Sequence, residues 1–165
     1  MPKRACIFLM QLGGPATLAE IEPFLCNLLE DVLPLPSLLK RPLARFIAHK
    51  RTPKVLPLYS AIGGGSPLLK NTESQALAIE QRLSTFGIDA KVFICMRYAP
   101  PRAETAVLKA RREHSEAIWI ELPLYPHYSF ATTRSSALEL EGYLTEAERQ
   151  RLRTISSYPT EPGYL

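Results

Sequence analysis

The segment Tyr59-Ser-Ala-Ile-Gly-Gly-Gly-Ser-Pro-Leu68 gathers residue types from which an anion site can be built. Gly63, Gly64 and Gly65 remove the β-carbons from a turn, so a flat or bulky ligand can come close to the backbone. Ser66 adds a hydroxyl, and Pro67 fits the first position of a helix whose N-terminus favours anions. The spacing is neither Gly-x-x-x-x-Gly-Lys-Ser/Thr nor a strand followed by Gly-x-Gly-x-x-Gly, which argues against a nucleotide. A purely structural turn is the alternative to anion capture. Arg97-Tyr98 sets a permanent cation, whose planar fork suits carboxylates, beside an aromatic ring. The plainer reading makes Arg97 an ion-pair partner and Tyr98 a rim packing residue. Arg51 is a further cation near a helix end. His127, flanked by Tyr125 and Tyr128, is the histidine of a site loop and the candidate for proton transfer, unless its role is structural. His49 and His114 read as solvated helix-end residues. No histidine pair or His/Glu pair has ligand spacing, so the sequence shows no self-sufficient metal site.

These residues need elements to hold them. Ala5-Cys-Ile-Phe-Leu-Met10, Lys91-Val-Phe-Ile-Cys-Met96 and Ala117-Ile-Trp-Ile-Glu-Leu-Pro-Leu124 read as buried strands, with a weaker one over 151–157. Thr17 and Glu20 fit a capping box opening a helix through Leu29, kinked or restarted at Pro23. The proline-rich stretch 32–58 predicts an irregular segment holding one helix over 38–49, which either lies on a membrane interface or packs on its own domain. Helices are expected over 67–86, stopped by Gly87, over 102–113, and from Thr132 or Thr133 to Leu140. The order β-α-β-α-β-α-β predicts an α/β fold with an open parallel β-sheet flanked by helices on both faces. Ligands in such sheets bind beyond the carboxyl ends of the strands, where 11–17, 97–101 and 125–133 fall.

Bulk properties set limits. A chain of 165 residues with 46% hydrophobic and 22% charged residues suits one globular domain. Net charge is +4, which favours anionic ligands or surfaces, but the basic residues are too scattered for nucleic acid. Cys6, Cys26 and Cys95 lack Cys-x-x-Cys spacing, which predicts no disulfide framework and a reducing, cytoplasmic setting; Cys6 and Cys95 read as buried hydrophobes.

Taken in order, Leu9-Met-Gln-Leu-Gly-Gly-Pro15, Phe24-Leu-Cys-Asn-Leu28, Lys50-Arg-Thr-Pro-Lys54, the glycine segment, Met96-Arg-Tyr98, and Leu122-Pro-Leu-Tyr-Pro-His-Tyr-Ser129 with Thr132-Thr-Arg-Ser-Ser136 resemble the ferrochelatase family over nearly the whole chain. The resemblance implies a chelatase-like, Rossmann-type βαβ half that inserts ferrous iron, as substrate, into a porphyrin without an organic cofactor. It implies porphyrin contacts from Leu12, Gly13, Arg51, Tyr59, Ser66, Arg97 and Tyr98, and leaves His127 as the catalytic candidate. Coproporphyrin-using relatives carry a tyrosine at the Leu12 position, so Leu12 favours protoporphyrin. The stretch 32–49 would form a lip through which porphyrin enters from a membrane surface, making the protein peripheral to it. Family members have a second, similar half with a Ser-Ala-His-Ser/Gly-Leu-Pro segment and a later glutamate, and this sequence reaches Leu165 before either. The expectation is therefore a single α/β domain over 1–165, an N-terminal half inactive alone, whose partner is a C-terminal half or another copy. A stand-alone porphyrin- or haem-binding module is the alternative.

Overall fold

The computed structural model describes residues 3–113 and 117–164; the reading of His114 as solvated lies outside them. The chain divides into two compact units, Met1–Leu12 with Asn71–Leu165, and Gly13–Lys70.

The first unit is an open α/β sheet. Strands β1 (Lys3–Gln11), β2 (Ile88–Met96), β3 (Ile118–Pro123) and β4 (Leu152–Thr154) are all parallel in the order β2-β1-β3-β4. The apolar run of β1 is buried because it lies inside the sheet with helices over both faces. On one face Cys6, Phe8, Met10, Phe93, Cys95 and Trp119 pack against Ala103, Ala106, Val107 and Ala110 of α4 (Ala103–Glu113) and Leu140 of α5 (Ser135–Gly142). On the other, Ala5, Ile7 and Ala90 meet Ile79 and Leu83 of α3 (Leu68–Ser84). The cysteines are buried thiols outside any disulfide, and burial pushes the Cys6 thiol up to about 12.

The second unit pairs two helices, α1 (Ile21–Val32) and α2 (Ser37–Ala61). Ile21, Leu25 and Cys26 of α1 bury Ala44 and Ala48 of α2, with Val55 and Tyr59 packed alongside. Here the structure departs from the irregular segment read at 32–58: α2 runs for 25 residues through Pro42, Pro53 and Pro57. All three prolines are exposed, so water can satisfy the carbonyls they leave without an N–H, while the alanine face sustains the helix. The same geometry resolves the two readings of 38–49. The helix packs on its own unit, and Leu38, Leu39 and Phe46 point outward at 87%, 57% and 60% exposure. No helix among the described residues is long and apolar enough to cross a membrane.

Three local expectations are corrected. The Thr17 side chain makes no cap; Glu20 instead accepts the Ala16 N–H at 2.9 Å, and a short 3-10 turn Leu18–Glu20 leads into α1. Pro23 is the third residue of α1, inside the first turn where its missing N–H has no helical acceptor to lose, so no break occurs. Ser129, rather than Thr132 or Thr133, caps the turn before α5. Its hydroxyl accepts the Thr132 N–H at 3.1 Å, and residues Phe130–Arg134 form a π-helical turn. A further helix, α6 (Glu146–Arg151), is opened by a capping box in which Thr145 and Glu148 bond reciprocally.

Glu148 also ties α6 to α4. Arg111 donates to both carboxylate oxygens at 2.7 Å. The Arg111 bond, with those from Thr145, holds the Glu148 carboxyl down from 4.5 to about 2. A depressed carboxyl contributes stability above its unfolded pKa and loses it as pH falls through the folded value. Glu148→Gln should therefore lower stability at pH 7 by on the order of 1 kcal/mol, Arg111 being partly solvent-screened. The gap to the parent should close between pH 4.5 and 2, as checked by urea denaturation across that range.

Candidate functional site

In the first unit, the functional candidates stand where the strands end. The ladder continues past β1 and β2: Arg97 N–H donates to the Gln11 carbonyl at 2.9 Å and Tyr98 N–H to that of Leu12 at 3.0 Å. Leu124 N–H donates to the Met10 carbonyl at 2.8 Å, so β3 delivers Tyr125 to the same edge. Leu12, Arg97, Tyr98 and Tyr125 are thus brought together by backbone bonds alone.

Their side chains are held from below. The Arg97 guanidinium carbon lies 5.1 Å from the Tyr98 ring centroid, and Nη1 donates to Glu139 Oε2 at 3.4 Å. Glu139, on α5, also takes Arg102 Nε at 2.9 Å. One carboxylate therefore serves two guanidiniums at the sheet edge. Glu139 was not legible beforehand; the available signal was an acid on the helix following the site loop. Arg97 is the ion-pair partner its plainer reading foresaw, with its side chain only 17% exposed. Tyr98 is buried at 2% and forms the floor under Arg97. The Tyr125 hydroxyl lies 3.4 Å from Ser136 Oγ, and burial pushes it up to about 12. His127, next along this loop, is exposed.

In the second unit, the glycine segment is the turn between α2 and α3. Gly63 and Gly64 take left-handed φ values of 102° and 89°, and Gly64 N–H donates to the Tyr59 carbonyl at 2.8 Å, closing α2. Tyr59 is half-buried against α1, and Arg51 is exposed on α2. Gly65 serves a different purpose. A β-carbon there would sit 2.1 Å from the Ala16 carbonyl oxygen, and one at Gly14 would sit 2.8 Å from Ser66 Cβ and Oγ. With Ser66 N–H donating to the Pro15 carbonyl at 2.7 Å, the loop after Gly13 and the loop before α3 clasp backbone to backbone. The bare glycine backbone thus meets the chain itself at Gly65. Ser66 Oγ accepts the Leu68 N–H at 3.2 Å, which leaves its own proton to donate outward at the start of α3.

The ferrochelatase family model matches residues 4–165. The chain belongs to the ferrochelatase family. It is 43% identical to a ferrochelatase of Synechocystis sp. over 169 residues, covering 98% of this chain and 43% of that protein. It is likewise 43% identical to a ferrochelatase of Geotalea uraniireducens, covering 100% and 52%. With the rice chloroplastic ferrochelatase-2 (Oryza sativa subsp. japonica) it shares 40% identity over 96% of the chain and 32% of the relative. The chain spans about half, or less, of the length of these curated relatives. Among the described residues no group of three His, Cys, Asp or Glu side chains could hold a metal ion.

The clasp predicts a steric result. Gly65→Ala drives a β-carbon into the backbone of Ala16, which has no flexible end to yield, and should lower stability by ~2 kcal/mol or more. Gly14→Ala, facing the Ser66 side chain, should cost less. Thermal denaturation of both variants checks the order.

Proposed function

We propose that this stretch supplies the porphyrin-holding side of an enzyme that inserts ferrous iron into a porphyrin, with protoporphyrin as the substrate that Leu12 favours. Membership of the ferrochelatase family over residues 4–165 carries this reading, and the local chemistry supports it. A porphyrin is an apolar disc with carboxylate arms. Two guanidiniums held by Glu139 are donors of the kind that suits a carboxylate, with their geometry fixed by the shared acid. Ser66 offers a hydroxyl proton beside a helix N-terminus. Leu12, half-buried at the strand end, is proposed as an apolar contact for the ring, with Gly13, Arg51 and Tyr59 as further contacts.

Iron insertion releases two protons from ring nitrogens. His127, exposed at the carboxyl end of β3, is proposed as a group that accepts one of them. Turnover is proposed to need the further length that the curated relatives have, this chain by itself binding porphyrin without metallating it. Ferrous iron enters as substrate, and no organic cofactor is proposed. The outward Leu38, Leu39 and Phe46 with Lys40 and Lys50 on α2 support contact with a membrane surface from which an apolar porphyrin arrives.

Titration of the chain with protoporphyrin, followed at the Soret band, tests the reading. Ser66→Ala and Arg97→Ala should each weaken binding by roughly tenfold, the worth of a hydrogen bond to a charged group. His127→Gln should leave affinity near that of the parent. Parental affinity in both the Ser66 and Arg97 variants would remove the carboxylate assignment, and an unperturbed Soret band with the parent would remove porphyrin.

A further inference from the structure

The outer edge of β2 is separate from the residues assigned to porphyrin. Within the sheet β2 pairs with β1 alone, so its other side presents backbone groups outside any ladder. A cavity of about 590 Å³ runs along this edge, between strand residues 87–91 and Leu77 and Glu80 of α3. One side chain reaches across it. Val92 N–H donates to Glu80 Oε1 at 2.8 Å, and Lys91 Nζ lies 3.7 Å from Glu80 Oε2.

The direction of that bond fixes the edge. Val92 N–H points away from β1, so by strand alternation the backbone groups of Ala90 and Ile88 do too. The sequence Ile88-Asp89-Ala90-Lys91-Val92 is self-complementary about its centre. An antiparallel copy registered on Ala90 sets Asp89 opposite Lys91 and Ile88 opposite Val92, twice over by two-fold symmetry. Asp89 and Lys91 are about half exposed, at 47% and 49%, and each already has an intrachain partner, Arg4 at 3.5 Å and Glu80 at 3.7 Å, so pairing with a second strand exchanges these solvent-screened contacts for new ones.

We propose that β2 is a self-pairing edge whose occupant is a second copy of this chain, and that Glu80 is its latch. In each copy the carboxylate takes the Val92 N–H and holds Lys91, which withholds one ladder bond and one Asp89–Lys91 pair per copy from the dimer. Edge strands are commonly guarded by charge; here the guard is a hydrogen bond to the strand itself. A five-residue ladder is a small interface, so opening the latch yields a weak dimer that grows with concentration.

Sedimentation velocity over a concentration series, with circular dichroism to establish folding, tests this. Glu80→Ala should show reversible doubling of mass relative to the parent. Glu80→Gln, which keeps a side-chain acceptor for Val92, should sediment as the parent does. Adding Lys91→Asp to Glu80→Ala sets carboxylates opposite each other and should abolish the doubling. Folded Glu80→Ala that matches the parent at every concentration overturns the proposal, as does association that survives Lys91→Asp or grows into open-ended aggregates through other surfaces. Hydrogen exchange on the parent gives a reading free of variants. The Val92 amide should be protected and the Ala90 amide should exchange quickly; equal exchange at the two also overturns the latch.

Discussion

The position of β1 between β2 and β3 is the constraint on which the rest of the sheet-borne chemistry depends. Its register with β2 holds from Lys3↔Ile88 to Gln11↔Met96 without a slip. A one-residue slip would turn every side chain of β2 to the other face. Because the register holds, the ladder runs on beyond both strands and the carbonyls of Gln11 and Leu12 seize the next two amides. Each such bond is worth only about 1 kcal/mol net. Their consequence is positional: Arg97 and Tyr98 leave the sheet with a fixed backbone, and an arginine with a fixed backbone and an aromatic floor has few rotamers left to lose on binding an anion.

Three carboxylates in the first unit show how environment divides one functional group into different tasks. Glu148 lies under a bidentate guanidinium and its own capping box, so its charge is favoured and it joins α4 to α6. Glu139, nearly as buried, divides itself between Arg97 and Arg102 and acts as a counter-charge between two cations at the strand-end edge. Glu121 is wholly buried in β3, opposite Thr154 of β4, whose hydroxyl donates to it at 2.8 Å. Burial outweighs that bond and raises its pKa. No guanidinium bonds to it directly, and its link is to the short outer strand, where a hydroxyl partner suffices for a carboxyl whose charge is disfavoured.

Much of the fold was legible because its determinants are local or periodic. Buried strands announce themselves as apolar runs, and Gly87 ends α3 with a positive φ, as its placement after an amphipathic stretch foretold. The failures share a cause, which is tertiary compensation. Prolines at 42, 53 and 57 argue for a broken chain when only propensity is weighed, yet Ala44 and Ala48 find a facing helix, and the prolines find solvent. Of the Thr17 box only Glu20 takes part, accepting the Ala16 amide while the Thr17 side chain caps nothing, because the chain enters through a 3-10 turn. That Arg97 and Tyr98 directly follow a strand was legible from spacing and type. Glu139 was not, since nothing in an acid on α5 reveals that two arginines from another segment converge on it.

The glycine segment shows most clearly how one residue type answers to two forces. Gly63 and Gly64 are required by conformation, since each stands in the left-handed region with open space where a side chain would be. Gly65 and Gly14 are required by contact, since a β-carbon at either would collide with the opposing loop. Only the second pair creates the clasp, and the clasp decides what Ser66 can do. Its amide donates to the Pro15 carbonyl and its Oγ accepts the Leu68 amide, so two backbone bonds hold the serine at the turn while its hydroxyl keeps a proton and a second lone pair. A string of glycines that looks like an opening for a ligand is, on this geometry, mainly the device by which the backbone closes on itself and sets the Ser66 hydroxyl at the turn before α3.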